Sequence, residues 1–191
     1  MLPFDLSAEV NLLGRAPVVV TESGVELPND GAPRVALRGN LFFPTSTALI
    51  LPMIEVHTGL WHRDYDTGTP YDATVLDIGA EGGFRIVPFA TMEAAGRPWL
   101  VHPLLELGVG LDARTLLHPW WRDEVYWATT GSVSVGAALG RSGDVWLVRV
   151  RYDNALGSRA AGTLDTAASD MGWSFDGNGG RLAVSVGYGW R

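Results

Sequence analysis

Apolar and polar positions alternate one by one along most of the chain. Over residues 99–112, one set is Trp99, Val101, Pro103, Leu105, Leu107, Val109 and Leu111. The other is Leu100, His102, Leu104, Glu106, Gly108, Gly110 and Asp112. Successive side chains of a strand point to opposite faces, so this stretch divides into a greasy face and a small or charged face. The same period predicts eight strands, over 4–14, 34–43, 47–62, 73–87, 99–112, 126–139, 145–153 and 180–190. Strands of about ten residues match the length that crosses a bilayer at a tilt.

The connections predicted between them alternate in length. Longer ones cover 15–33, 63–72, 113–125 and 154–179, and shorter ones 44–46, 88–98 and 140–144. The short ones carry turn chemistry in Pro44, in Pro88, Gly96 and Pro98, and in Arg141-Ser142-Gly143-Asp144. The Ala160-Ala161 pair reads as loop, and 167–170 as a helical turn. No linker or second composition interrupts the chain, so residues 1–191 read as one domain.

Alternation does not say which face is wet, and composition decides it. The polar face is crowded with small residues, among them Gly79, Gly83, Gly108, Gly110, Gly136, Gly187, Ser132, Ser134, Ala128 and Ala183. A solvated surface has no need of them, whereas an eight-strand barrel is only just wide enough inside for side chains to fill. On the apolar face, Trp99, Trp127, Trp146, Tyr152, Tyr188 and Trp190 fall near strand ends, where an aromatic girdle would meet lipid headgroups. The expected fold is therefore all-β: a closed, eight-stranded, antiparallel, up-and-down transmembrane barrel with hydrocarbon outside. A soluble barrel that carries an apolar ligand, with the faces reversed, is the alternative fold reading.

With lipid outside, Glu9, Arg38, Glu55, Glu81, Glu106, Arg149 and Arg151 fall at mid-height in the lumen. Isolated charges in a narrow interior are costly, so these are expected to pair into a plug, with a charge-lined pore as the other reading. Arg suits this role because its planar fork bridges two carboxylates. Pro52 and Pro103 fall within strands, where each removes a ladder hydrogen bond, and β-bulges are expected at both.

The remaining chemistry is sparse. The chain has no Cys, which excludes disulfides and thiolate metal sites. All basic residues are Arg, and the net charge of -7 argues against nucleic acid as a partner. Met1-Leu2-Pro3-Phe4-Asp5 has no basic start, so an exported protein is expected to be represented here in mature form. Neither a metal nor another cofactor is predicted. His57 and His62 lie five apart on opposite faces of one strand, so they cannot chelate together. Asp64, Asp66 and Asp72 read as a solvated acidic loop. His57 beside Asp77 on the next strand is the one candidate catalytic pair, an imidazole oriented as a base near the rim. Trp120 and Trp121, in a long loop, are candidates for binding a sugar, a lipid headgroup or a protein, or for dipping into the outer leaflet.

The whole chain resembles, as a pattern, the eight-stranded bacterial outer-membrane barrels, the group of the OmpA transmembrane domain and OmpX. Val184-Ser185-Val186-Gly187-Tyr188-Gly189-Trp190 is similar to their C-terminal signal, with aromatics on alternate residues. The resemblance implies a Gram-negative outer membrane, contact with membrane lipid and lipopolysaccharide, and insertion by the barrel-assembly machinery. It leaves function open, because such barrels serve as anchors, adhesins, conduits or lipid-modifying enzymes. A non-enzymatic structural or binding barrel, with a protein partner at its long loops, is the leading expectation. A lipid A hydrolase or acyltransferase is the second, although no Ser neighbours the histidines in the spacing those deacylases use.

Overall fold

Eight strands in the computed structural model close into an antiparallel barrel. The strands are β1 (Phe4–Gly14), β3 (Arg34–Phe42), β4 (Ile50–Asp66), β5 (Pro70–Ile86), β6 (Leu100–Leu117), β7 (Val125–Arg141), β8 (Asp144–Leu156) and β11 (Gly179–Trp190). Three more strands, β2 (Val18–Thr21), β9 (Arg159–Asp165) and β10 (Asp170–Asp176), form a second sheet. The structure describes residues 4–14, 18–21, 34–43, 45, 49–66, 70–87, 100–117, 125–141, 144–156, 159–165, 170–176 and 179–190.

Around the barrel the order is β1-β11-β8-β7-β6-β5-β4-β3, and β3 pairs with β1 to close the ring. Neighbours in sequence pair by hairpins, and the first and last strands join at the β1–β11 seam. A closed ring leaves no free sheet edge. The two faces separate cleanly: along β3 the burial alternates residue by residue from Arg34 to Phe42. Leu37 and Val109 are 54% and 69% exposed on the outside, whereas Arg34, Glu55 and Asp77 are 0% exposed inside. A soluble carrier would show the reverse arrangement, so that alternative is set aside.

The inside of one rim is apolar. Phe42, Leu51 and Met53 form one buried cluster, and Leu104, Val145 and Leu147 form another with Ala138 against it. Both lie at the end of the barrel where the terminal strand ends Phe4 and Trp190 meet.

Three expectations from the sequence are corrected. Residues 63–72 are not a long loop, because β4 and β5 stay paired out to Asp66 opposite Pro70, with Asp64 opposite Asp72. The long connections 15–33 and 154–179 contain strands: Ala160 and Ala161 lie in β9, and Asp170 begins β10 instead of ending a helical turn. Residues 167–169 lie outside the described residues. The second sheet has the order β2-β10-β9, repeating that of the barrel strands β1, β11 and β8 that stand next to them in the sequence.

The two strand prolines produce no break in register. Registers run unbroken through Pro52, opposite Phe84, and through Pro103, opposite Ala137. The β3–β4 ladder ends at Met53 and the β5–β6 ladder begins at Leu105. Pro52 lies just past the end of the β3–β4 ladder, yet its carbonyl still accepts from the Phe43 N–H at 2.9 Å, so the chain stays joined there and only the N–H that proline lacks is missing, without a bulge against β5. The described break in register falls elsewhere, between Asn11 and Leu13 on β1.

Candidate functional site

The inward face of these strands builds a layered ion-pair network that fills the lumen. Glu55 of β4 lies directly opposite Glu81 of β5. Like charges facing across a ladder repel. Arg151 of β8 resolves this conflict from the opposite wall: its Nη1 donates to Glu55 at 2.7 Å and its Nη2 to Glu81 at 2.6 Å. Arg38 of β3 binds Glu9 through Nε at 2.6 Å, donates from Nη1 to Glu55, and reaches Asp153 of β8 at 3.2 Å. Ser132 and Thr130 of β7 donate to the Glu81 carboxylate.

Toward the terminal rim, Glu106 of β6 accepts from Arg85 of β5, from Arg149 of β8 at 3.1 Å, and from Ser134 at 2.9 Å. Arg85 also crosses to Asp5 of β1 at 2.6 Å, and its guanidinium lies 4.0 Å from the Phe42 ring centroid. Asn40 donates to the other Asp5 oxygen at 2.8 Å. Toward the opposite rim, Asp77 of β5 accepts from Arg34 of β3 and from the Trp61 indole at 3.0 Å. Arg34 also binds Glu9 at 2.9 Å. Arg34 and Arg181 each lie 5.7 Å from the Trp61 ring centroid, and Arg181 donates to Asp153 at 2.9 Å.

Glycines are the slots through which these long side chains pass. Arg34 lies over Gly59, where an added Cβ would come within 2.6 Å of its guanidinium. Glu81 lies over Gly108, where a Cβ would approach its carboxylate to 2.5 Å. Gly79 separates His57 from Asp112 in one cross-strand row, His57 opposite Gly79 and Gly79 opposite Asp112. The imidazole spans that gap, and its Nε2 stands 2.9 Å from Asp112 Oδ1.

This geometry corrects the candidate pair. The partner of His57 is Asp112, two strands away, while Asp77 stands 4.0 Å from Nε2 and is engaged by Arg34 and Trp61. His57 is also not a rim residue, since its side chain is fully enclosed. Among the described residues no Ser or Thr hydroxyl hydrogen-bonds to either ring nitrogen. Donor atoms of Glu55, His57 and Glu81, and of His57, Asp77 and Asp112, lie within 4.8 Å of one another. Guanidiniums of Arg38, Arg151 and Arg34 already engage Glu55, Glu81 and Asp77, so these clusters are arranged as ion pairs.

The seven predicted lumen charges, Glu9, Arg38, Glu55, Glu81, Glu106, Arg149 and Arg151, are all buried inside and come together in this network. Asp5, Arg34, Asp77, Arg85, Asp112, Arg114, Asp153 and Arg181 are buried with them. Their signal was present in the alternation, because each falls on the inward parity, but the network extends further along the barrel than mid-height.

Of the aromatic residues, Trp127, Trp146 and Tyr152 are exposed outward. Trp146 meets Tyr188 edge to face at 5.3 Å between centroids. Trp190 closes β11 but its side chain is not among those described, and Trp99, Trp120 and Trp121 lie outside the described residues.

No protein-family model matches the chain, and no curated protein matches it in sequence. Solved structures do match. Neisserial surface protein A aligns over 98% of this chain and 96% of its own, with a TM-score of 0.51 and 13% identity. Ail, the attachment invasion locus protein of Yersinia pestis, aligns over 99% of both chains at a TM-score of 0.36 and 11% identity. A major outer membrane protein of Thermus thermophilus aligns over 98% of both at 0.36 and 10%. The likeness to Neisserial surface protein A carries the fold, an eight-stranded barrel of the kind the sequence resembles.

Proposed function

We propose that this barrel resides in a bacterial outer membrane and works without catalysis, as a filled anchor that presents its rim to partners. The carrying observation is the inversion of the two faces. Leu, Val, Ile and Phe side chains cover the outside from Phe4 to Leu13 on β1 and along every other barrel strand, while the charges are buried. In water such a surface would be a large aggregation liability. In a bilayer it is the expected band, and the polar interior is then shielded from lipid.

Guanidiniums that tie opposite walls together, as Arg151 ties β8 to β4 and β5, favour a plug over an open pore. Trp127, Trp146, Tyr152 and Tyr188 fit an interfacial girdle on this reading, and Trp120 and Trp121 fit contact with the outer leaflet. Membrane lipid and lipopolysaccharide are then the surrounding medium, the barrel-assembly machinery inserts the chain, and a protein partner is met at the long connections between strands. Enclosure of His57 away from any lipid weighs against the lipid-modifying reading.

Purified protein is expected to partition into detergent and to migrate faster on a gel unheated than boiled. It is expected to leave a planar bilayer electrically silent. A freely soluble monomer would sink the membrane assignment, and steady conductance would sink the plug.

A further inference from the structure

His57 lies where the acids of the lumen are densest. Nε2 is 2.9 Å from Asp112 Oδ1 of β6, and Nδ1 is 3.5 Å from Glu55 Oε1 of β4. Asp77 of β5 is 4.0 Å from Nε2, and Glu81 of β5 belongs to the same cluster of donors. The cations around it are already committed. Arg38, directly opposite on β3, donates to Glu55 and Glu9. Arg34 of β3 holds Asp77, while Arg114 of β6 and Arg181 of β11 stand 3.3 and 3.9 Å from Asp112.

A neutral imidazole carries one ring N–H and one lone pair. Each ring nitrogen has a carboxylate oxygen beside it, Nε2 in hydrogen-bond contact with Asp112 and Nδ1 without a hydrogen bond but 3.5 Å from Glu55, and the two carboxylates belong to different strands. Whichever tautomer formed, a nitrogen lone pair would be turned on an anionic oxygen, in an enclosed site where repulsion is poorly screened. Only the doubly protonated ring presents a hydrogen to both. The charge count agrees: among the described residues, the buried set holds eight carboxylates, of Asp5, Glu9, Glu55, Asp77, Glu81, Glu106, Asp112 and Asp153, against seven arginines.

We infer that His57 is held as an imidazolium and serves as the eighth cation of the lumen, a charged cross-link from β4 to β6 over Gly79 of β5. The inference concerns the interior alone and does not depend on where the barrel resides. Its role is positioning: it holds Asp112 and Glu55 in place across three strands, in a row where the glycine between them has no side chain to contribute.

The direct test is nitrogen-15 NMR of the imidazole in folded protein in detergent near neutral pH. His57 is assigned by elimination with His62→Gln, His102→Gln and His118→Gln. Both ring nitrogens are expected in the protonated range, and widely split shifts of a neutral tautomer would overturn the inference. The second test is a pair of double-mutant cycles on the temperature at which the fast-migrating gel band is lost. Asp112→Asn and Glu55→Gln should each lower that temperature less in a His57→Gln background than in the wild type. Coupling to only one of the two acids is the behaviour of a neutral ring and would reject the cross-link.

Discussion

The inner and outer faces of β6 obey different rules although they share one backbone. Glu106 is buried under three donors, and Leu107, the next residue, is 43% exposed. In the proposed bilayer setting outward side chains are interchangeable within a class, because fluid hydrocarbon refills whatever space a smaller residue leaves. Inward side chains are fixed one against another, because each carboxylate is shared and each glycine is occupied space. The outside is therefore specified by hydropathy, and the inside by geometry.

The largest blow to this contrast is expected from Arg38→Met, which takes one guanidinium from Glu9, Glu55 and Asp153 at once and leaves them to Arg34, Arg151 and Arg181. Breaking a buried pair costs about 3–5 kcal/mol, and urea unfolding followed by unheated gel mobility should show the loss. Next comes Val135→Arg on the outer face, where a charge in the apolar band costs roughly 2–4 kcal/mol near the midplane. A neutral result in the same assay would mean that Val135 does not meet lipid. Gly79→Ala is a single added methyl whose Cβ would lie 2.2 Å from Asp112 Oδ1. Overpacking of this kind costs about 1–3 kcal/mol, and the His57 imidazole signal should shift with it. The smallest effect belongs to Ile78→Val, on the outer face, at roughly 0.8 kcal/mol for one methylene. No cavity cost adds to it, so the same deletion made inside, Leu147→Val, should read as clearly larger.

The outer face was legible because it needs only periodicity. Val133, Val135, Leu107 and Val109 alternate with small or polar residues, and that alone gives strand, face and barrel. The identity of inward residues was legible for the same reason. Their partners were not. Arg151 and Glu55 are separated by 96 positions, and nothing local tells Arg151 to span Glu55 and Glu81 together. The pairing of His57 with Asp112 depends on Gly79 being empty, a relation that spans three strands. The second sheet was missed because β2 is four residues long and β9, Arg-Ala-Ala-Gly-Thr-Leu-Asp, is built largely from weak strand formers. The prolines misled because a missing N–H removes one bond without shifting the register: the Pro52 carbonyl still accepts from Phe43, and the pairings through Pro52 and Pro103 stay in step.

The network also divides unevenly along the chain. Up to Ile86 the described buried charges are five acids, Asp5, Glu9, Glu55, Asp77 and Glu81, with Arg34, Arg38, Arg85 and, as inferred above, the His57 imidazolium. From Leu100 onward they are three acids, Glu106, Asp112 and Asp153, with Arg114, Arg149, Arg151 and Arg181. The leading half is thus net negative and the trailing half net positive. The last strands to arrive are the counterions of the first, so attraction across the unfinished ring draws it shut and penalises any ring that closes without them.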